Sequence, residues 1–173
     1  MKNIIFLLFI LSVLSISCKK EITKPIAYGS GNDYLIYEKV LQYQFAQTDV
    51  LIILQDSTKG EFIDTLHIIN IKERIPALLE ETLKGYITNK KLKIKLKNIP
   101  NIKSLVFESE IKNEPDNSVN VWLSNIGYDD SEIQAIATLG FIYGPEAGGA
   151  ILFFMIKENN EWNIEDVYGL WVC

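Results

Sequence analysis

Few side chains in this sequence have the chemistry of a reaction centre. His67 is the only histidine among 173 residues, and neither an HExxH pattern nor paired CxxC motifs accompany it, so a zinc site with several His or Cys ligands is not implied. His67 could serve as a general base only with an orienting acid, and the nearest is Asp64. Residues 62–71 read as a strand or an extended approach to the next helix, and residues three apart on a strand point to opposite faces. His67 is therefore expected to be a structural residue at a sheet edge.

The run Tyr143-Gly144-Pro145-Glu146-Ala147-Gly148-Gly149 has the glycine content of a phosphate cradle. Such a cradle needs a helix N-terminus after the loop, whereas Ile151-Leu152-Phe153-Phe154 follows as a strand. The run reads as a wide hairpin, with Glu146 at its tip as the acid best placed to meet a ligand.

Charge is more informative. Residues 82–107 hold seven Lys and no acid, and residues 108–173 hold two Lys and twelve acids. Lys91, Lys93 and Lys95 alternate with Leu92, Ile94 and Leu96, the period of a strand with one wet face. Two uses fit that face. It could meet an anionic headgroup, a lipopolysaccharide phosphate or an acidic partner, or it could guard a strand edge against aggregation. The body as a whole is mildly acidic and carries 8 Tyr, 8 Phe and 3 Trp in the full chain, which excludes a disordered tail and a general nucleic-acid binder. No cofactor is implied.

The N-terminus carries an address. Lys2 precedes an apolar run over residues 4–16, too short to span a bilayer as a helix, and small residues close it. Ser15-Ile16-Ser17-Cys18 resembles the lipobox of bacterial lipoproteins, with Ser15 where Leu is favoured. The resemblance implies cleavage before Cys18, acylation of its thiol by diacylglycerol and of its amine by a fatty acid such as palmitate, and attachment that two or three chains make permanent. Residues 1–17 are thus expected to be a signal peptide, residues 18–32 a lipidated tether, and residues 33–173 a single domain in the cell envelope. The absence of Asp after Cys18 favours the outer membrane by analogy. Cys173 has no adjacent cation to depress its pKa and reads as a bystander, with an intermolecular disulfide in an oxidising envelope as the alternative.

The elements that must position these residues follow from periodicity. A helix is expected from Asp33 as N-cap, with Tyr34, Tyr37, Leu41 and Phe45 on one face. Residues 50–54 read as a buried strand, 76–87 as a helix opened by Pro76, and 91–97 as a strand. Strands follow at 102–108, 119–127, 133–143, 150–157 and 162–172, the last two joined by the polar hairpin Glu158-Asn159-Asn160-Glu161. This predicts an α+β domain: one or two helices laid across one face of a curved antiparallel sheet that ends in a β-meander. The pattern has a looser likeness to NTF2-like and cystatin-like cones.

Leu123-Ser124-Asn125-Ile126-Gly127-Tyr128, Gln134-Ala135, Gly148-Gly149, Asn160-Glu161-Trp162 and Leu170-Trp171-Val172 together resemble a family of uncharacterised secreted proteins and lipoproteins common in Bacteroidota. Asn125 stands where many members have Arg, and Cys173 where many end in Ser. The resemblance supports an envelope location and transfers no catalytic residue. The leading expectation is a membrane-anchored binding module with a protein, glycan or anionic-lipid partner. The alternative is a cone-like enzyme using a carboxylate such as Glu146 or Asp64 as general base in a pocket between helix and sheet.

Overall fold

Ser30 and Asp33 start the first long helix. The Ser30 hydroxyl accepts from the Asp33 amide at 3.3 Å, and the Asp33 carboxylate accepts from the Ser30 amide at 2.6 Å. This reciprocal box satisfies two donors that a helix start leaves without partners. Ser30, not Asp33, is therefore the N-cap, and helix α1 spans Gly31–Phe45. The structure is a computed structural model that describes residues 27–60, 65–89, 92–144 and 147–172. A short strand, β1 (Ala27–Tyr28), and the cap itself lie inside the stretch read from composition as tether.

The remaining elements are β2 (Leu51–Leu54), α2 (Thr65–Arg74), α3 (Glu80–Asn89), β3 (Ile94–Lys95), β4 (Leu105–Phe107), β5 (Ser118–Leu123), β6 (Gly127–Tyr128), β7 (Gln134–Tyr143), β8 (Ala147–Glu158) and β9 (Glu161–Val172). The main sheet runs β4-β2-β5-β7-β8-β9, with β6 pairing β7, and β1 and β3 form a separate pair. From β5 onward the neighbours are antiparallel, as expected of a meander. At the other side β2 runs parallel to both β4 and β5, so the sheet is mixed. Parallel neighbours need long crossovers, and α2 and α3 occupy the crossover that follows β2.

The second difference from expectation is the layering. Helix α1 covers one face, against Val121, Leu123, Ala135, Ala137, Leu139, Phe153 and Met155. Helices α2 and α3 cover the opposite face, through Ile71, Leu83 and Tyr86 against Trp122, Ile136, Leu152 and Phe154. The α+β domain thus has three layers. Both faces of its central strands are dry, which is why residues 135–140 are all buried and show no alternation.

Two local expectations also change. The described part of 62–71 is helical, since α2 begins at Thr65 and brings Ile68 and Ile71 to the sheet, with Ile75 just beyond its end beside them. The helix expected from Pro76 starts instead at Glu80, after a turn in which the Leu78 amide donates to the Ile75 carbonyl at 3.0 Å. The β8–β9 hairpin is as the sequence indicates: Asn159 and Asn160 have φ of 52° and 67°, the paired positive values of a two-residue type I′ turn.

Candidate functional site

The Ser124-Asn125-Ile126-Gly127 turn between β5 and β6 is the polar centre of the molecule. Asn125 is 1% exposed. Its Oδ1 accepts from the Thr58 hydroxyl at 2.5 Å, and its Nδ2 donates to the Leu92 carbonyl at 2.7 Å and to the Asn89 carbonyl. One amide thereby joins the segment after β2, the end of α3 and the approach to β3. Ser124 donates to the Asn125 carbonyl and accepts from the Thr138 amide, both at 2.7 Å. The Tyr37 hydroxyl donates to the Ser124 carbonyl at 2.9 Å, and the Tyr86 and Thr138 hydroxyls lie 3.0 Å apart. Burial pushes the Tyr37 phenol well up, and the Tyr86 phenol up, from the ordinary value. Gly127 completes the turn, because a β-carbon there would lie 2.4 Å from the Tyr86 amide nitrogen. These hydrogen bonds use the buried polar groups of the motif within the protein, which is what a structural rivet requires.

A second network secures the N-terminus of α1. Tyr128 donates to Asp33 at 2.7 Å, and both burial and the Asp33 carboxylate hold its phenol far above the usual range. Asn32 donates to Glu132 at 3.1 Å. Asp129 is buried and accepts from the Ile133 and Gln134 amides at 2.8 and 2.6 Å, so it closes its own turn. The Gln134 side chain then receives the Leu79 amide at 2.9 Å and donates to the Ala77 carbonyl at 2.9 Å, fixing the start of α3.

The residues singled out from sequence are dispersed. His67 sits on α2, not on a strand, with Nε2 3.1 Å from the Leu170 carbonyl on β9. Cys18, Asp64, Lys91, Glu146 and Cys173 lie outside the described residues. Lys93 and Lys95 are exposed, while Leu96 is buried and Ile94 half-buried, so the expected alternation holds from Lys93 to Lys97; it fails at Leu92, which is exposed, and the strand expected over 91–97 is only the two residues of β3. Among the described residues neither Lys93 nor Lys95 is in an ion pair. Lys95 lies opposite Tyr28 of β1, a pairing the sequence did not indicate.

Sequence reasoning also missed a cleft of about 420 Å³ at the C-terminal end of α1. Its floor is apolar, from Leu41, Phe45 and Ile52, and Asp49 and Lys103 line it as well. It lies between the end of α1, the 46–50 turn, β2 and the 101–104 segment, a juxtaposition without a local signature. Among the described residues no group of three or more His, Cys, Asp or Glu side chains is placed to hold a metal, and no helix is long and apolar enough to cross a membrane. The Trp162 indole N–H is buried without a hydrogen-bond partner among the described residues; it is a donor only and cannot act as an acid or base at neutral pH.

No protein-family model, curated protein or solved structure matches this chain. Roles must therefore come from its own residues.

Proposed function

We propose that this chain is a bacterial cell-envelope lipoprotein, anchored through acylated Cys18 and acting as a binding module, not an enzyme. The observation that carries the anchor is the apolar run over residues 4–16 ending in Ser17-Cys18 behind a single lysine. The binding reading is supported by how the interior spends its polar groups. Ser124, Asn125, Thr58, Thr138 and Asp129 are hydrogen-bonded to other parts of the same chain. His67 faces a backbone carbonyl. What the domain offers to another molecule is its surface.

Labelled palmitate should enter the wild-type protein and not Cys18→Ala, and the mature product should begin with a diacylglyceryl cysteine by mass spectrometry. A bare thiol or an uncleaved leader would overturn the anchor. The binding reading is tested separately with Asp64→Asn and Glu146→Gln. Both should leave the cellular role intact; loss of that role in a folded, anchored variant would favour a carboxylate enzyme.

A further inference from the structure

The lysine strand pairs with Ala27 and Tyr28, the described residues nearest Cys18 in sequence. β1 pairs in parallel with β3, Ala27 opposite Ile94 and Tyr28 opposite Lys95. Cys18 precedes Ala27 by nine residues, and nine residues span at most about 32 Å however they are arranged. Lys93 and Lys95 are therefore held within one tether length of whatever the Cys18 sulfur is joined to.

Sequence left two uses for these lysines, and the structure separates them. A guard is needed where a strand has an open edge. β3 has none: β1 flanks it on one side, and on the other the Thr58 amide donates to the Ile94 carbonyl at 3.0 Å, the Ile94 amide to the Thr58 hydroxyl at 3.0 Å, and the Leu96 amide to the Asp56 carbonyl at 2.9 Å. With β3 flanked on both sides, an edge guard is not what Lys95 supplies. It still carries Lys95 exposed, with Lys93 exposed just before it and Lys97 exposed two residues further.

We propose that β3 is the face by which the domain rests on anionic phospholipid headgroups of the bilayer that carries its own anchor. This rests on the lipoprotein reading above. Lysines within a Debye length of an anionic surface are attracted to it, and a short tether keeps them at a high effective concentration there. The tether has the same sign, with Lys19, Lys20 and Lys24 against Glu21. Acids on adjoining segments have other partners: Asp33 holds Tyr128 and Ser30, Glu132 holds Asn32, and Asp56 holds the Ser109 hydroxyl at 2.7 Å. Their charge remains and limits the attraction.

The test uses the full-length mature protein in vesicles of phosphatidylcholine alone or with phosphatidylglycerol at a 7:3 ratio. A water-soluble amine-acylating reagent is applied, and labelling is followed lysine by lysine. Lys93 and Lys95 should label about fivefold more slowly on the anionic vesicles, the factor expected per surface lysine, and recover in ~0.5 M salt, where screening is nearly complete at headgroup distance. Lys72, on α2 and paired with Glu80, should not change. In Lys93→Glu/Lys95→Glu, Lys97 should label equally on both vesicles. If the protein floats with both vesicles but Lys93 and Lys95 label equally, the headgroup contact is wrong and the anchor stands. If it floats with neither, the anchor fails and the contact with it.

Discussion

The Asn125 amide nitrogen lies 2.7 Å from the Leu92 carbonyl, a hydrogen bond between residues 33 positions apart that ties the β5–β6 turn to the segment leading into the lysine strand. Because the same side chain also serves Thr58 and Asn89, its loss removes three hydrogen bonds at once, although the Thr58 hydroxyl still accepts from the Ile94 amide and the Asn89 carbonyl from the Leu92 amide. Asn125→Ala should cost about 2–4 kcal/mol in urea unfolding, since each hydrogen bond lost costs ~0.5–1.5 kcal/mol net. Asn125→Asp should be worse at neutral pH, because it turns a carboxylate oxygen toward two carbonyls. Equal stability of Asp and wild type would show that the rivet carries no load.

Glycines give a contrast of sign. A β-carbon at Gly140 would lie 2.3 Å from the Trp122 indole, whereas one at Gly31, in the first turn of α1, would meet nothing within 4 Å. Gly140→Ala should destabilise by about 1–3 kcal/mol through overpacking, and Trp122→Leu in the same chain should recover part of that loss. Gly31→Ala should raise stability by up to about 1 kcal/mol, because it removes backbone freedom from the unfolded chain only. Thermal unfolding of the three variants checks both directions.

Some of this architecture was legible from residue order and some was not, for physical reasons that particular segments show. α1 was readable because Tyr37, Leu41 and Phe45 recur on one face and only that face is buried. The β8–β9 hairpin was readable because Asn-Asn is a local solution to two positive φ values. Residues 65–71 read as extended because Ile68, Ile69 and Ile71 favour strands by type, and the helix is set by packing on Leu152 and Phe154, far along the chain. The parallel pairing of β2 with β5 depends on a crossover of more than sixty residues and has no local trace. The same holds for the site. The Lys-x-Lys alternation was visible, but its place beside Tyr28 belongs to a pairing 67 residues apart.

Alkaline pH should unfold the protein in a way that follows its tyrosines. Tyr37, Tyr86 and Tyr128 all have phenol pKa values raised by burial above the ordinary 10. Each group's stabilising contribution is therefore complete below pH ~10 and declines as pH rises beyond it, because the unfolded chain releases protons that the fold retains. The slope should approach about 1.4 kcal/mol per pH unit for each such tyrosine. Phenolate absorbance at ~295 nm should show three groups ionising only with loss of structure. Tyr128→Phe should lower that number to two, and three groups titrating freely in the folded protein would contradict the burial.

The Lys97 amide donates to the Tyr34 hydroxyl at 3.1 Å, which fastens the end of the lysine segment to the first turn of α1. That bond fixes where the cations stand relative to the helix without using any of their charge. Tyr34→Phe removes the acceptor and keeps the ring, including its edge contact with Tyr37 at 6.5 Å between centroids. A net loss of about 1 kcal/mol is expected for one such hydrogen bond, and it should fall locally, with roughly fivefold faster hydrogen exchange at the Lys97 amide while amides in β7 and β8 stay protected. Exchange that rises uniformly across the sheet would mean that Tyr34 supports the core as a whole. Unchanged exchange at Lys97 would mean that the β1–β3 pairing alone holds the segment in place.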